Sequence, residues 1–565
     1  MSHRTLDLVL LWHMHQPDYR DAVDRSFLLP WVYLHAIKDY GDMAAHVERH
    51  PGIRAVFNFV PVLLEQIEDY VQQFEAGATL DPLLELLRTE DLDDAGPAER
   101  ALVLESCFHG SHETMLQPYP HYRRLLDIFR LTCEGEHATP EYLSGAYLAD
   151  LLTWYHLAWI GETDRRANPL FGQLMAKGAG FTPEDRRSLF DAIGEIIAGL
   201  LPRYRALAAS GQIELSTTPR THPLTPLLLD FRAARETIPD APLPSAPGYP
   251  GGRARVDWQL RTAIDGHTRR FGVPPAGLWP SEGAVSAPLI EAVGQTGLGW
   301  VASSESVLAN SLGPAAGDPP GRRDWLYRLW NVPDAPGVAM AFRDERLSDL
   351  IGFEYSKWHG RDAAGHLIAE LEAIAAGAPD GETPVVLIAL DGENAWEYYP
   401  YNGYYFFEEL YTELERHPFI RTRTMSEVAA RAQAGARTLP RLVAGSWVLG
   451  TLSTWIGEPS KNAAWDLLCE AKRAFDEVVE RGDLDARRRE ELDVQLAACE
   501  GSDWFWWLGP YNPAVSVERF DRLFRHNLRR LYELLGRSAP AVLERPLSTG
   551  AGHPESGGTM RRASS

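Results

Sequence analysis

Residues 385–403 read VVLIALDGENAWEYYPYNG. The six residues 385–390 are apolar without a break, the pattern of a β-strand covered on both faces in a parallel sheet flanked by helices. The run leads straight into Asp391, Gly392 and Glu393, with Asn394 and Trp396 just beyond. In barrels and open α/β sheets the C-terminal ends of the strands face one shared cleft, so acids placed there are candidates for chemistry. The plainer alternative is an Asp-Gly turn followed by a helix cap.

Working outward, residues 6–12, 55–59, 213–216 and 299–302 are further short apolar runs. A helical pattern follows the second of them, through Leu64, Ile67 and Tyr70. Strands alternating with helices predict an α/β chain with a mostly parallel sheet or barrel. Residues 238–252 and 311–322 are rich in Pro and Gly and are expected to be long loops inside one domain. After about residue 420 the strand signal fades. Residues 462–480, 485–499 and 517–535 are charged and amphipathic in helical register. The expected organisation is a catalytic barrel at 1–420, a helical domain closing its site at 421–546, and a disordered, apolar-poor tail at 547–565.

The composition, 45% hydrophobic and 24% charged, is that of a soluble globular protein able to bury a large core. The formal charge of -23 disfavours nucleic acid and anionic membrane surfaces, which need a basic footprint, and is compatible with a neutral polymer. Cys107, Cys133, Cys469 and Cys499 form no CxxC pair and are expected to be buried thiols. The segment 6–12 leads into polar residues without a small-residue cleavage site, so it is read as a strand and the chain as cytoplasmic. The sequence does not indicate an oligomeric state.

Five other sets of residues could carry chemistry. His13 and His15 are two apart at the end of the first strand, hence on one face. Metal ligation, contact with a hydroxylated ligand, and a structural pair all remain open for them. Glu214 lies within the run at 213–216, and His222 follows in the next loop. Glu282 stands between Pro280 and Gly283 beside Trp279; an indole face suits a pyranose, and a carboxylate there can reach the anomeric carbon. Trp447, Trp455 and Trp465, then the run DWFWW at 503–507, are aromatic enough for sugar stacking and equally for a core. Asp349, with Arg343 and Asp344, is either a site-lining acid or part of a salt-bridge network.

In this order, five segments resemble the signature regions of glycoside hydrolase family 57: HMHQP at 13–17, GQIELSTTPRTHPLTPLL at 211–228, LWPSEGAVS at 278–286, LDGENAWEYYP at 390–400 and TLSTWIGEPSKNAAW at 451–465. The resemblance spans about residues 7 to 510, and its fourth and fifth regions are most similar to the amylopullulanase branch. It implies an incomplete (β/α)7 barrel closed by a helical domain, and a retaining mechanism without metal or other cofactor. It assigns the nucleophile to Glu282 and the general acid/base to Asp391. His13, His15, Glu214, His222, Trp279, Asp349, Glu393, Trp396 and Trp455 are the implied substrate-binding set. The implied substrates are α-1,4-linked and, in this branch, α-1,6-linked glucans of the starch, glycogen and pullulan type. Arg220 stands where an aromatic residue is expected, and the long C-terminal extensions of secreted relatives are missing, which suits a compact intracellular enzyme. The competing expectations are a 4-α-glucanotransferase or branching enzyme on the same scaffold, a metal-dependent deacetylase with His13 and His15 as ligands, and a non-catalytic glucan-binding protein.

Overall fold

The computed structural model describes residues 4–134, 139–313, 321–333, 335–432 and 436–563. Ten strands form one sheet: β1 Leu6–Met14, β2 Ala55–Phe59, β3 Ile213–Thr217, β4 Gly277–Leu278, β5 Trp300–Ser304, β6 Trp330–Asn331, β7 Ala339–Arg343, β8 Val385–Asp391, β9 Ile420–Thr422 and β10 Arg437–Thr438. Strands β1, β2, β3, β4, β5, β7 and β8 are parallel neighbours in that order, and β8 returns to β1. The ring closes at β7–β8 through one register pair, Arg343 with Leu387. This is the expected (β/α)7 barrel. Its lightest seams are β7–β8 and β3–β4, the latter paired at Thr217–Leu278. Outside the ring, β6 runs antiparallel to β7, β10 adds to β6, and β9 adds to the start of β1.

Pleat parity explains the interior. Side chains alternate across a strand, so every second residue points into the barrel. Val9 and Leu11 of β1, Val56 of β2, Trp300 and Ala302 of β5, Ala339 and Ala341 of β7, and Leu387 and Ala389 of β8 pack together as one inner cluster. The alternate residues Leu8, Leu10, Trp12, Val386, Ile388 and Leu390 pack outward under the helices. The helix Met425–Ala432 plugs the floor with Met425, Val428 and Ala429. The same parity carries His13, Asn58 and Asp391 inward at the other rim. His13 is in register with both Asn58 and Asp391.

A large helical excursion separates β2 from β3 and ends in the 27-residue helix Pro183–Ala209, started by a Thr182–Asp185 capping box with Pro183 at its first position. The helices Pro459–Val479, Ala486–Glu500, Ser502–Trp507 and Ala514–Leu534 form the C-terminal helical region. Two boundaries differ from the sequence reading. The sheet continues past residue 420, because β9 and β10 still pair with barrel strands. Residues 547–563 are not a disordered tail: Met560 and Ala563 are buried, and Trp506 Nε1 donates to Gly558 O at 2.8 Å. A segment poor in apolar residues is held here by backbone and arginine contacts instead of a core of its own. Residues 314–320 of the expected loop at 311–322 lie outside the described residues, and its first two residues end the helix Glu305–Leu312. The cysteines are free, with Cys107, Cys469 and Cys499 buried and Cys133 half-buried. Among the described residues, no helix is long and apolar enough to cross a membrane.

Candidate active site

A cavity of about 510 Å³ opens at the C-terminal rim of the strands, between the barrel and the helical region. Glu282 and Asp391 both line it, with His13, His15, His222, Asp349 and Glu393 from the barrel loops. Asp503 and Trp506 reach it from the helical region.

Glu282 is presented by a single turn after β4. Its φ of 59° is left-handed, a conformation a non-glycine residue holds only when its surroundings impose it, and such residues cluster at functional sites. His222 is left-handed too, at φ 59°. The neighbouring chain imposes the turn: Gly283 N donates to Pro280 O, Val285 pairs with Gly445, and Trp447 N donates to Glu282 O at 3.0 Å. Two donors then fix the carboxylate. Ser502 Oγ reaches Oε1 at 2.8 Å and Trp447 Nε1 reaches Oε2 at 3.1 Å.

Ser502 also bonds His222 Nδ1 at 2.8 Å, and His222 Nε2 faces His13 Nε2 at 3.1 Å. The chain ends with His13 Nδ1 against Asn58 Oδ1 at 2.7 Å, and Asn58 bonds Ser216 on β3. Burial holds both imidazoles neutral: His13 is lowered to about 3, and His222 lies well below the usual histidine range. His15 differs. Burial opposes its charge, but Asp503, 3.0 Å from Nε2, raises its pKa above the ordinary value.

Asp391 takes a hydrogen bond from Asn394 Nδ2 at 3.0 Å. Its loop is locked to β1 by Gly392 N donating to His13 O at 2.6 Å. A Cβ on Gly392 would run into the thioether of Met14, so any larger residue there has to push that side chain aside. Burial pushes the Asp391 carboxyl up to about 6 and the Glu282 carboxyl up to about 7, the latter helped by the charge of Asp503. Glu393 accepts from His15 N at 3.3 Å, and burial with the charge of Asp391 drives it well above the carboxylate range. Arg343, in cation–π contact with Trp447 at 5.1 Å, lies 3.7 Å from Asp349.

The other members of the implied binding set stand apart from the cavity wall. Glu214 shares the inward parity of Ser216 but sits one inward position deeper; it accepts from Trp300 Nε1 at 2.7 Å and Ser426 N at 2.8 Å, as part of the barrel floor. Trp279 packs inside the barrel against Trp447, with ring centroids 5.3 Å apart. Trp396 backs the Asp391 loop by donating to Gly392 O at 2.9 Å. Trp455 packs behind Trp506 at 5.9 Å. These tryptophans support wall residues instead of facing a ligand. Arg220 bonds Glu65 at 3.0 Å, outside this cavity.

Several wall residues were not singled out in the sequence. Asp503 opens the aromatic run at 503–507, and Ser502, buried just before it, bonds Glu282 from behind the wall; their polarity was the overlooked signal. Trp31 comes from the helix Trp31–His35 between β1 and β2 and Trp159 from the helical excursion, and neither carries a local signature. Ser556, Thr559 and Arg561 come from the segment expected to be disordered.

His15, His222 and Asp503 hold possible ligand atoms within 4.8 Å of one another. His15 and Asp503 are already paired, and both nitrogens of His222 already have protein partners. A cation here would have to displace those bonds.

A seven-stranded barrel with a buried and a half-buried carboxyl in one cavity at its C-terminal rim has the form of a barrel enzyme of the glycosidase type. Residues 9–440 match the sequence profile described as Glycosyl hydrolase family 57, and the chain belongs to that family. The fold is also that of solved family members. The branching enzyme of Thermococcus kodakaraensis matches with a TM-score of 0.56 at 16% identity, over 94% of this chain and 88% of that one. The branching enzyme of Pyrococcus horikoshii matches at 0.54 and 15%, over 99% of each chain. An α-amylase of Thermotoga maritima matches at 0.54 and 13%, over 94% and 93%.

Proposed function

We infer that this chain cleaves α-1,4-glucosidic bonds in neutral glucans by a retaining double displacement, with Glu282 as nucleophile and Asp391 as general acid/base. The observation that carries the reading is the unequal treatment of two carboxyls in one buried cavity. Glu282 receives two donors, Ser502 and Trp447, while Asp391 receives the Asn394 amide. Donors stabilise the ionised form. The raised values, about 7 for Glu282 and about 6 for Asp391, would by themselves protonate Glu282 before Asp391. The Trp447 bond and a sugar ring excluding water from Asp391 favour the opposite placement, which the chemistry needs.

In the first step the C1–O bond breaks, Asp391 gives its proton to the leaving oxygen, and C1 bonds to Glu282. In the second, a hydroxyl attacks C1, its proton passes to Asp391, and Glu282 leaves as carboxylate. His15 and Asp503 are placed to bond hydroxyls of the sugar held there. The aromatic wall suits a pyranose, and a lining of six carboxyl side chains against three arginines disfavours an anion.

The test is product analysis on maltoheptaose, pullulan and amylopectin, with Glu282→Gln beside the wild type. Shorter reducing sugars from the wild type alone support the reading, and maltotriose from pullulan extends it to α-1,6 bonds. Undiminished activity of Glu282→Gln removes the nucleophile assignment. The cluster of His15, His222 and Asp503 favours one second reading, metal-assisted hydrolysis such as deacetylation. A chelator separates the two: activity persisting in excess chelator supports the double displacement, and activity lost and restored by zinc supports the metal.

A further inference from the structure

Residues 555–563 run along the wall of the catalytic cavity, and Ser556, Thr559, Met560 and Arg561 line it. The segment turns sharply at Glu555–Gly558, where Ser556, Gly557 and Gly558 are all left-handed, at φ 51°, 60° and 84°. It is fastened at both sides of the opening. On the barrel side, Ala563 N donates to Asp349 Oδ2 at 3.0 Å and Leu449 N donates to Ala563 O at 2.9 Å. Arg562 reaches Glu354 at 2.7 Å and lies over Phe353 at 4.7 Å. On the helical side, Arg561 lies over Trp506 at 4.6 Å and Tyr511 at 4.5 Å, and bonds Asn512 at 3.1 Å. The strap therefore crosses from one half of the molecule to the other.

Its position relative to the acids gives it a role. Tyr398 closes the loop that starts at Asp391 and lines the same cavity as Ser556 and Thr559, whose side chains neighbour its hydroxyl. The strap thus touches the loop that carries Asp391 on one side and, through Leu449, the segment whose Trp447 holds Glu282 on the other. On the double-displacement reading above, the leaving group departs past Asp391 and the acceptor hydroxyl enters there. We propose that residues 555–563 form the acceptor wall of the site and favour a glucan hydroxyl over water in the second step. In that step the ester bond between Glu282 and C1 breaks, C1 bonds to the acceptor oxygen, and the acceptor's proton moves to Asp391. Water gives a free reducing end, whereas a glucan hydroxyl gives a new glycosidic bond. The wall offers what a pyranose needs and water does not: the Trp506 ring, the Met560 side chain and the Arg561 guanidinium, whose donors suit sugar hydroxyls.

The experiment follows maltoheptaose with time, counting longer oligosaccharides against new reducing ends. It compares the wild type with a variant lacking residues 550–565 and with the milder Met560→Ala and Arg561→Ala. The expected result is a ratio of transfer to hydrolysis lowered about five-fold or more in every variant that retains activity. The point variants keep the backbone contacts of the strap, so they report even if the deletion does not fold. An unchanged ratio in an active variant overturns the proposal, whatever happens to the overall rate, because a mere clamp alters rate and stability without choosing between acceptors. A wild type that only hydrolyses overturns it as well and leaves the retaining reading intact. A wild type inert on every glucan overturns that reading, and this one with it.

Discussion

Ser502 is the residue on which the site chemistry turns, because its hydroxyl joins the Glu282 carboxylate to the neutral His222–His13 chain. Ser502→Ala removes a donor from the ionised form of Glu282 and raises its pKa further. Glu282 must be ionised to attack, so the acid limb of kcat/KM should move to higher pH by about one unit, with a loss of about 10- to 100-fold. A pH profile checks this; a rate loss with the limb unmoved would make Ser502 a packing residue. Glu282 also bears on stability. Burial, then the charge of Asp503, raises it from an ordinary 4.5 to about 7, so the folded protein holds this proton where the unfolded chain has lost it. Its contribution is therefore most favourable at low pH and is lost as pH rises from about 4.5 to about 7. Glu282→Gln removes the titration, and its amide can give to Ser502 while its oxygen faces Trp447. The variant should be more stable than wild type by about 1–3 kcal/mol at pH 8 and by little at pH 4. Urea denaturation at the two pH values measures it, and a gain independent of pH would contradict the assignment.

At the scale of elements, the site depends on how the helical region is pinned to the barrel. Arg255, in the helix Gly252–Phe271, bonds Glu500 at 2.8 and 3.1 Å and Asp493 at 2.7 Å, all buried at the end of the helix Ala486–Glu500. Gly501 and Ser502 follow directly. Arg255→Leu leaves the Glu500 charge buried with only Tyr249 and Gln259 to satisfy it, a cost of about 3–5 kcal/mol. The denaturation midpoint should fall and activity should fall with it, because Ser502 loses its position; an unchanged midpoint would show the network to be dispensable. The barrel strands were legible because apolar runs such as VVLIAL and LVLL record burial on both faces. Parity within a strand was legible too, which is why His13 and His15 could be assigned to one face. Depth was not. Glu214 has the parity of a site residue, but its distance from the rim depends on register with Val56, a long-range fact. The tryptophans failed similarly: a motif shows that Trp396 and Trp455 adjoin the site, not which layer they occupy. Ser502 and the strap come to the cavity from more than 100 residues beyond Asp391, with no local pattern to mark them.

For the whole molecule, the closed ring and the helical region enclose the cavity at the strand rim, and the chain carries a formal charge of -23. Acids concentrated on a protein steer charged ligands and repel anions, and salt removes both effects. An uncharged glucan feels neither, so its encounter should not depend on ionic strength. Of the two acids assigned to the reaction Glu282 is buried and Asp391 half-buried, so screening reaches them less than it reaches surface charges. kcat/KM on maltoheptaose is therefore expected to change less than about two-fold between about 0.05 M and about 0.5 M sodium chloride at constant pH. A substrate carrying positive charge would instead lose much of its kcat/KM over the same range, and an anionic one would gain. Steady-state rates at several salt concentrations decide between these. A steep dependence in either direction would mean that surface charge takes part in recognition, and the neutral-polymer reading would give way to a charged substrate.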